Sequence, residues 1–139
     1  MVEARVIADV AGAVGLTEAW DRLAVAAGQP MSSPAWMLAW VRHLAPRDGQ
    51  LAIVAVEDAG ETIGIVPLLG RTQGGCTVLR TLAAEHGRCA PLAVRGREWE
   101  VAVAALRALD EGPWRPDVVH FANAPMGAWH AAWQAAIRV

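Results

Sequence analysis

The chain has 139 residues, of which 55% are apolar and 19% are charged, and its formal net charge is -2. This composition is typical of a single folded domain spanning 1–139, and it excludes a disordered chain and a basic nucleic-acid-binding protein. The 12 residues in the Lys+Arg count are all arginine, which excludes Schiff-base catalysis and a lysine-dependent phosphate loop.

The two cysteines, Cys76 and Cys89, are too few and too far apart for a zinc knuckle or a redox CxxC motif. We expect both to be reduced, mostly buried thiols, and we expect no metal site. The N-terminal segment lacks the pattern of a signal peptide, and no stretch approaches the roughly 20 apolar residues of a membrane span. The sequence therefore predicts a cytoplasmic protein without a membrane span.

The first third of the chain predicts a strand followed by two helices. The strand covers Arg5–Val10, where β-branched residues are frequent, and the first helix follows with Thr17 as its N-cap. Gly28 ends that helix. Ser33 is the predicted N-cap of the second helix, and Pro34 lies in the first turn, where a missing N–H costs nothing.

The middle third changes to the pattern of strands. Two apolar runs, 51–56 and 62–69, are separated by a turn and predict a β-hairpin. A third strand over 76–82 makes an antiparallel meander. Pro67 lies inside the second run, and because proline cannot donate to a ladder, we expect it at a bulge or with its nitrogen facing away from a neighbouring strand.

The last third predicts helix, strand and helix. The third helix is amphipathic, includes Trp99 on its apolar face and stops at 112–113, and a short strand covers 118–121. A fourth helix begins near Gly127. Because its pattern reaches Val139 without a C-cap, we expect the chain to be truncated after the fourth helix.

Four short stretches carry a resemblance to a known family. They are 33–40, SPAWMLAW; 63–68, IGIVPL; 79–82, LRTL; and 114–118, WRPDV. They are similar, in the same order, to the SPxWxxxW, GIxPL, LRxLG and WDxL stretches of CelD-like acetyltransferases. The chain thus resembles the tandem GNAT-superfamily acyltransferases, a group that also includes the Fem-type peptidyltransferases.

The resemblance implies an α/β (α+β) protein with a GNAT-like fold, in which a mixed, mostly antiparallel sheet is flanked by four helices. In these families two GNAT-like halves lie side by side, and the second half chiefly binds the acyl donor. Residues 1–139 would then be the first, acceptor-side half of an acyltransferase. The resemblance implies acetyl-CoA or another acyl-CoA as co-substrate and a second GNAT-like half as partner.

The implied acceptor is a small molecule, a glycan or a peptide-linked group related to the envelope or to a polysaccharide, receiving the acyl group on an amine or a hydroxyl. The alternative is a non-catalytic GNAT-like docking module. In that case the module binds a partner through the last helix, where Trp129 and Trp133 are expected to be exposed.

Site candidates are few, and the catalytic residues stay unassigned. GNAT proteins that bind acyl-CoA hold its pyrophosphate at a glycine-bearing turn before the third helix, and 82–98 lacks that spacing. The segment nevertheless offers His86 as a base and Arg88 as a cation, although both also fit an ordinary surface loop. The chain has no tyrosine to protonate a departing thiolate.

Trp36 and Trp40 are one helical turn apart, so they fit either the floor of an acceptor groove or the core. The remaining histidines, His43, His120 and His130, are expected to be partly buried rings with backbone partners.

Overall fold

The computed structural model describes residues 1–139 and contains one six-stranded sheet and five α-helices. The elements, in chain order, are β1 (Val2–Ile7), α1 (Val10–Val14), α2 (Thr17–Ala27), a 3-10 turn (Pro30–Ser32), α3 (Pro34–His43), β2 (Gln50–Asp58), β3 (Glu61–Gln73), β4 (Cys76–Thr81), β5 (Leu92–Ala93), α4 (Glu98–Glu111), β6 (Val118–His120) and α5 (Ala128–Ile137).

The additional helix is α1, which begins at Val10, where the sequence predicted the end of the first strand. The carboxylate of Asp9 accepts a hydrogen bond from the Gly12 N–H at 2.6 Å, which caps α1 after β1 has ended at Ile7. Thr17 is not the cap of α2, because its hydroxyl donates to the Val14 carbonyl at 2.6 Å. The prediction of four helices was therefore wrong by one short helix.

The strand order in the sheet is β1-β2-β3-β4-β6, with β5 also paired to β3. The β2–β3 hairpin and the β3–β4 pair are antiparallel, as predicted, whereas β6 runs parallel to β4. A parallel neighbour requires a crossover connection, and α4 supplies it on one face of the sheet. The chain thus places the carboxyl ends of β4 and β6 side by side.

Helices cover both faces of the sheet and divide the interior into two apolar layers. On one face α1, α2 and α3 pack over Ile53 and Ile65, with Trp20 and Met37 buried between them. On the other face α4 and α5 pack over the alternate residues Val54 and Val66. Because successive side chains of a strand point to opposite faces, a strand covered on both sides has a continuous apolar sequence.

One edge of β3 pairs with two different strands. β4 pairs with its second half, from Leu68 onward, and β5 pairs at Gly64 and Ile65. Pro67 lies between these two ladders and accepts a hydrogen bond from the Leu82 N–H at 3.0 Å. Since proline has no N–H to return a second bond, pairing along this edge stops there, and residues 83–91 leave the sheet.

α4 lies very close to β3 at Gly64. A Cβ atom at position 64 would lie 2.5 Å from both methyl groups of Val101, which is closer than carbon atoms approach in folded proteins. The absence of a side chain at Gly64 therefore sets the distance between this helix and the sheet.

The tryptophans of the last two helices differ from the prediction. Trp133 is only 3% exposed and packs edge-on against Phe121, with ring centroids 4.8 Å apart. Trp129 is half-buried and donates to the Pro125 carbonyl at 2.8 Å. Trp99, expected on an apolar face, is instead 50% exposed. Phe121, absent from the helical pattern, is the residue that covers both α5 rings.

Candidate functional site

A cavity of about 230 Å³ lies over strands β3, β4 and β6, on the side of the sheet that faces α3. Three residues at alternate positions of β3 line it, namely Leu69, Arg71 and Gln73. β4 contributes Val78 and Arg80, which are paired with Arg71 and Leu69, respectively. Because paired residues of neighbouring strands share a face, these five side chains form one surface.

The cavity is completed by residues from three other segments. The parallel register places His120 of β6 beside Arg80. Trp40 of α3 and Pro46 after it line the side towards the helix, and Glu85 contributes from the segment after β4. The cavity therefore has an aromatic and apolar side and a polar side.

The histidine predictions were wrong in two places. His120 and His43 are exposed, and neither ring makes a hydrogen bond within the chain. His120 belongs to a three-residue strand at the edge of the sheet, so its apolar neighbours do not enclose it. His130 is half-buried, as expected, but its ring contacts the Gln134 side chain at 3.5 Å and not the backbone.

Two ion pairs position the arginines of the cavity. An Arg80 terminal nitrogen lies 2.7 Å from a Glu85 oxygen, and an Arg71 terminal nitrogen lies 3.2 Å from an Asp48 oxygen. The Nε atoms of both arginines are buried and have no hydrogen-bond partner. Each guanidinium group carries five N–H donors, so most donors of both groups stay free of these ion pairs.

Of the two candidate tryptophans, the structure brings only Trp40 to the cavity. Its ring is 6% exposed, and its Nε1–H donates to Nδ1 of His86 at 3.0 Å. In a neutral ring that arrangement leaves the proton on Nε2, so His86 has no free lone pair with which to accept a substrate proton. Trp36 is half-buried against the core under α3, and its Nε1 is buried without a partner.

The segment after β4 is mostly part of the core. Cys89 is buried and its thiol donates to the Met31 carbonyl at 3.2 Å, while the Ala90 N–H donates to the hydroxyl of Ser32 at 3.3 Å. Burial raises the pKa of Cys89 to about 11. Cys76 is exposed, contrary to prediction. Arg88 is exposed and lines a separate groove, away from the cavity that contains Trp40.

The N-terminus of α4 carries a network of charges. Arg97 donates to Asp58 at 2.7 Å and to Glu100 at 2.6 Å. These bonds lower the pKa of both carboxyl groups, with a further contribution to Asp58 from the N-terminal ammonium group, and they raise the pKa of Arg97. Both carboxylates are therefore ionised at neutral pH.

This helix N-terminus does not fit the pyrophosphate of an acyl-CoA. Its first turn carries Glu98 and Glu100, whose negative charges would repel a phosphate group. The nearby cation, Arg97, is already bound by two carboxylates. The residues at this position thus differ from a phosphate-binding turn in charge as well as in glycine spacing.

The order and pairing of the elements define a GNAT-like fold, as predicted. The structure is similar to a solved structure of a ribosomal-protein-alanine N-acetyltransferase from Brucella melitensis biovar Abortus 2308, with a TM-score of 0.53 over 99% of this chain and 89% of that chain. The sequence identity is 11%, so the similarity shows the fold alone. No protein-family model and no curated protein matches the chain.

No three histidine, cysteine, aspartate or glutamate side chains come together where they could hold a metal ion. No helix has the length and apolar content needed to cross a membrane.

Most residues of the cavity were not predicted as site residues from the sequence. Arg71 and Gln73 continue the alternation that begins at Leu69, and Arg80 does the same on β4. The polar residues that follow the apolar run of β3, from Arg71 onward, were therefore the available signal. The sequence pattern does not give the register between strands, and this register brings β3, β4 and His120 together.

Proposed function

We propose that residues 1–139 form the acceptor-binding half of an acyltransferase of the CelD-like, tandem GNAT kind. In this proposal the acyl group comes from an acyl-CoA, which a second GNAT-like half holds. The acceptor is a small molecule, a glycan or a peptide-linked group with a free amine or hydroxyl. The GNAT-like fold supports acyl transfer as the general activity, and the cavity supports the acceptor-side role.

The observation that carries the proposal is the cavity under Trp40. It lies on the face of the sheet opposite α4, and it combines an aromatic wall with polar side chains from three strands. An apolar pocket with a few convergent polar groups is the usual form of a small-molecule site. The α4 N-terminus, by contrast, carries carboxylates that disfavour a donor phosphate.

Proton removal from the acceptor is assigned to His120 in this proposal. Its ring lines the cavity and makes no hydrogen bond within the chain, so a neutral ring has a free lone pair for the acceptor proton. His86, the candidate from the sequence, already uses its Nδ1 lone pair for Trp40. The two histidines therefore differ in a property that substitution can test.

The experiment uses the full-length gene product, acetyl-CoA, and glucosamine or glycylglycine as acceptor probes, and it measures the release of CoA thiol. We expect His120→Gln to lower kcat by about 100-fold or more, the range of general base catalysis, with little change in KM. His86→Asn, which keeps an acceptor for the Trp40 indole in place of Nδ1, is the matched control and should keep most of the activity. Equal losses in both variants would contradict the role of His120.

A binding measurement tests the division between the two halves. Isothermal titration of acetyl-CoA should show micromolar binding to the full-length gene product and at least about 100-fold weaker binding to residues 1–139. Micromolar binding to residues 1–139 alone would overturn the acceptor-side assignment, because the donor would then be held by this chain.

The docking alternative rested on tryptophans that the structure shows to be covered. Trp133 is buried, and Trp129 is half-buried against Phe121. The last helix therefore lacks the exposed aromatic face on which that alternative depended.

A further inference from the structure

The cavity under Trp40 places two guanidinium groups of like charge in one small space. Arg71 and Arg80 lie on neighbouring strands, offset by two residues along the ladder, and therefore on the same face of the sheet. Residues at such diagonal positions lie within reach of each other when their side chains are long. Like charges at this spacing repel, and negative charge nearby offsets the repulsion.

The chain supplies one carboxylate for each arginine. Asp48 and Glu85 each lie close to one terminal nitrogen of one arginine, and both carboxylates are exposed. Among the residues that line the cavity itself, the two arginines are opposed by Glu85 alone. The Nε atoms of Arg71 and Arg80 are buried without an acceptor.

The remaining polar groups of the cavity add donors. The Gln73 side-chain amide lies on the same face as Arg71, and His120 lies beside Arg80. Neither side chain forms a hydrogen bond within the chain, and both are able to donate one. The side towards α3 is formed by Trp40 and Pro46, which suit an aliphatic or ring portion of a ligand.

We propose that this cavity binds an oxyanion, either a carboxylate or a phosphate, and that Arg71 and Arg80 are its principal donors. A planar guanidinium group matches both oxyanions with two parallel N–H donors. The ligand's apolar portion packs against Trp40. The assignment of this anionic molecule as the acceptor rests on the proposed function, whereas the anion site itself stands on the cavity alone.

The test uses residues 1–139 and two probes, sodium acetate and sodium phosphate, at constant ionic strength in chloride. The Nε–H signals of Arg71 and Arg80 are followed by nuclear magnetic resonance during each titration. We expect saturable shifts of both signals with at least one probe, and the tighter probe identifies a carboxylate or a phosphate as the preferred group. Shifts that rise linearly with both probes and never saturate would overturn the proposal.

Variants separate specific binding from general attraction. Arg71→Gln and Arg80→Gln should each weaken binding by about 10-fold or more, as expected for the loss of hydrogen bonds to a charged group. Arg107→Gln, an exposed change on α4 across the sheet, is the control and should leave the affinity unchanged. Equal weakening by all three variants would show charge attraction alone and would refute a built site.

A conservative variant covers the case in which Arg80→Gln does not fold. Arg80→Lys keeps the positive charge but loses the planar guanidinium group. This variant should fold, and it should bind the anion less tightly than the wild type. Wild-type affinity in folded Arg80→Lys would contradict a role for the guanidinium geometry.

The outcomes of the anion-binding test and of the acyl-transfer test are distinguishable. Saturable anion binding without CoA release in the full-length assay would support the site and count against the acyltransferase. CoA release without anion binding would support the acyltransferase and reject an anionic acceptor.

Discussion

The indole N–H of Trp40 donates to Nδ1 of His86 across 3.0 Å, joining α3 to the segment that follows β4. The two residues are 46 positions apart in the sequence, and the cavity is lined by Trp40 and by Glu85, the neighbour of His86. A buried indole that lost this acceptor would keep an unpaired donor, because its ring is 6% exposed.

We expect Trp40→Phe and His86→Ala each to destabilise the fold, and we expect their effects to be coupled. A hydrogen bond of this kind contributes about 0.5–1.5 kcal/mol to the free energy of unfolding, and the smaller Phe ring adds a packing loss. Urea unfolding of both single variants and the double variant measures the coupling energy. Strictly additive losses would show that the bond contributes nothing.

A methyl group at Gly64 should destabilise the protein. Gly64→Ala places a Cβ atom 2.5 Å from the Val101 methyls, so α4 must move or the side chains must leave their preferred rotamers. Overpacking of this kind costs about 1–3 kcal/mol. Chemical denaturation measures the loss of stability.

Two further variants test the cause of that loss. Val101→Ala in the Gly64→Ala background removes both opposing methyls and should recover part of the stability. Gly15→Ala is the matched control, because its Cβ would meet only the Gly12 carbonyl at an ordinary 3.5 Å and its φ is -64°. A loss at Gly15 equal to that at Gly64 would contradict the steric explanation.

The Asp58–Arg97–Glu100 network should make stability depend on acid pH. In the folded chain the pKa of Asp58 lies below its ordinary 3.8 and that of Glu100 below its ordinary 4.5. Depressed pKa values mean that the folded state binds protons more weakly than the unfolded state. The contribution of the network to the free energy of unfolding is therefore complete above pH 4.5. It is lost as the pH falls through the lower pKa values of the folded state.

Asp58→Asn should flatten this pH dependence, since Arg97 then faces one carboxylate in place of two. Urea midpoints measured between neutral and acid pH should fall more steeply for the wild type than for the variant. Asp21→Asn, at an exposed position of α2 without an ion pair, is the control and should retain the wild-type slope. An unchanged slope in Asp58→Asn would argue against the network.

The two thiols should react at very different rates. Cys76 is exposed, whereas Cys89 is buried and has its pKa raised to about 11, so it is protonated and shielded at pH 8. Ellman's reagent should label one thiol per folded chain quickly and the second only on unfolding. Cys76→Ser should abolish the fast phase, and two fast phases in the wild type would contradict the packing around Cys89.

Local signals in the sequence predicted most of the architecture. The hairpin follows from two apolar runs and a turn, and Ser33 caps α3 as expected, with its hydroxyl 3.5 Å from the Trp36 nitrogen. The missed helix α1 is one turn long, and its cap, Asp9, stands where β-branched residues suggested a strand. Short elements carry too few residues for a period to be recognised.

The candidate site was harder to predict because it depends on register between distant segments. His120 was expected to be partly enclosed because its neighbours are apolar, yet β6 lies at the sheet edge and leaves the ring exposed. Arg71 and Arg80 become neighbours only through the β3–β4 pairing. The local conformation of a residue depends on its own segment, whereas its neighbours in a site depend on the segment that packs against it.

Pro67 limits how far β4 is able to slide along β3. If β4 extended past Leu82 towards the place that β5 occupies, one of its carbonyls would meet a ring nitrogen that has no proton to give. Pro67, a residue of β3 itself, therefore causes residues 83–91 to leave the sheet. Glu85 and His86 belong to that segment and lie near the cavity. The missing N–H of Pro67 therefore contributes to their position.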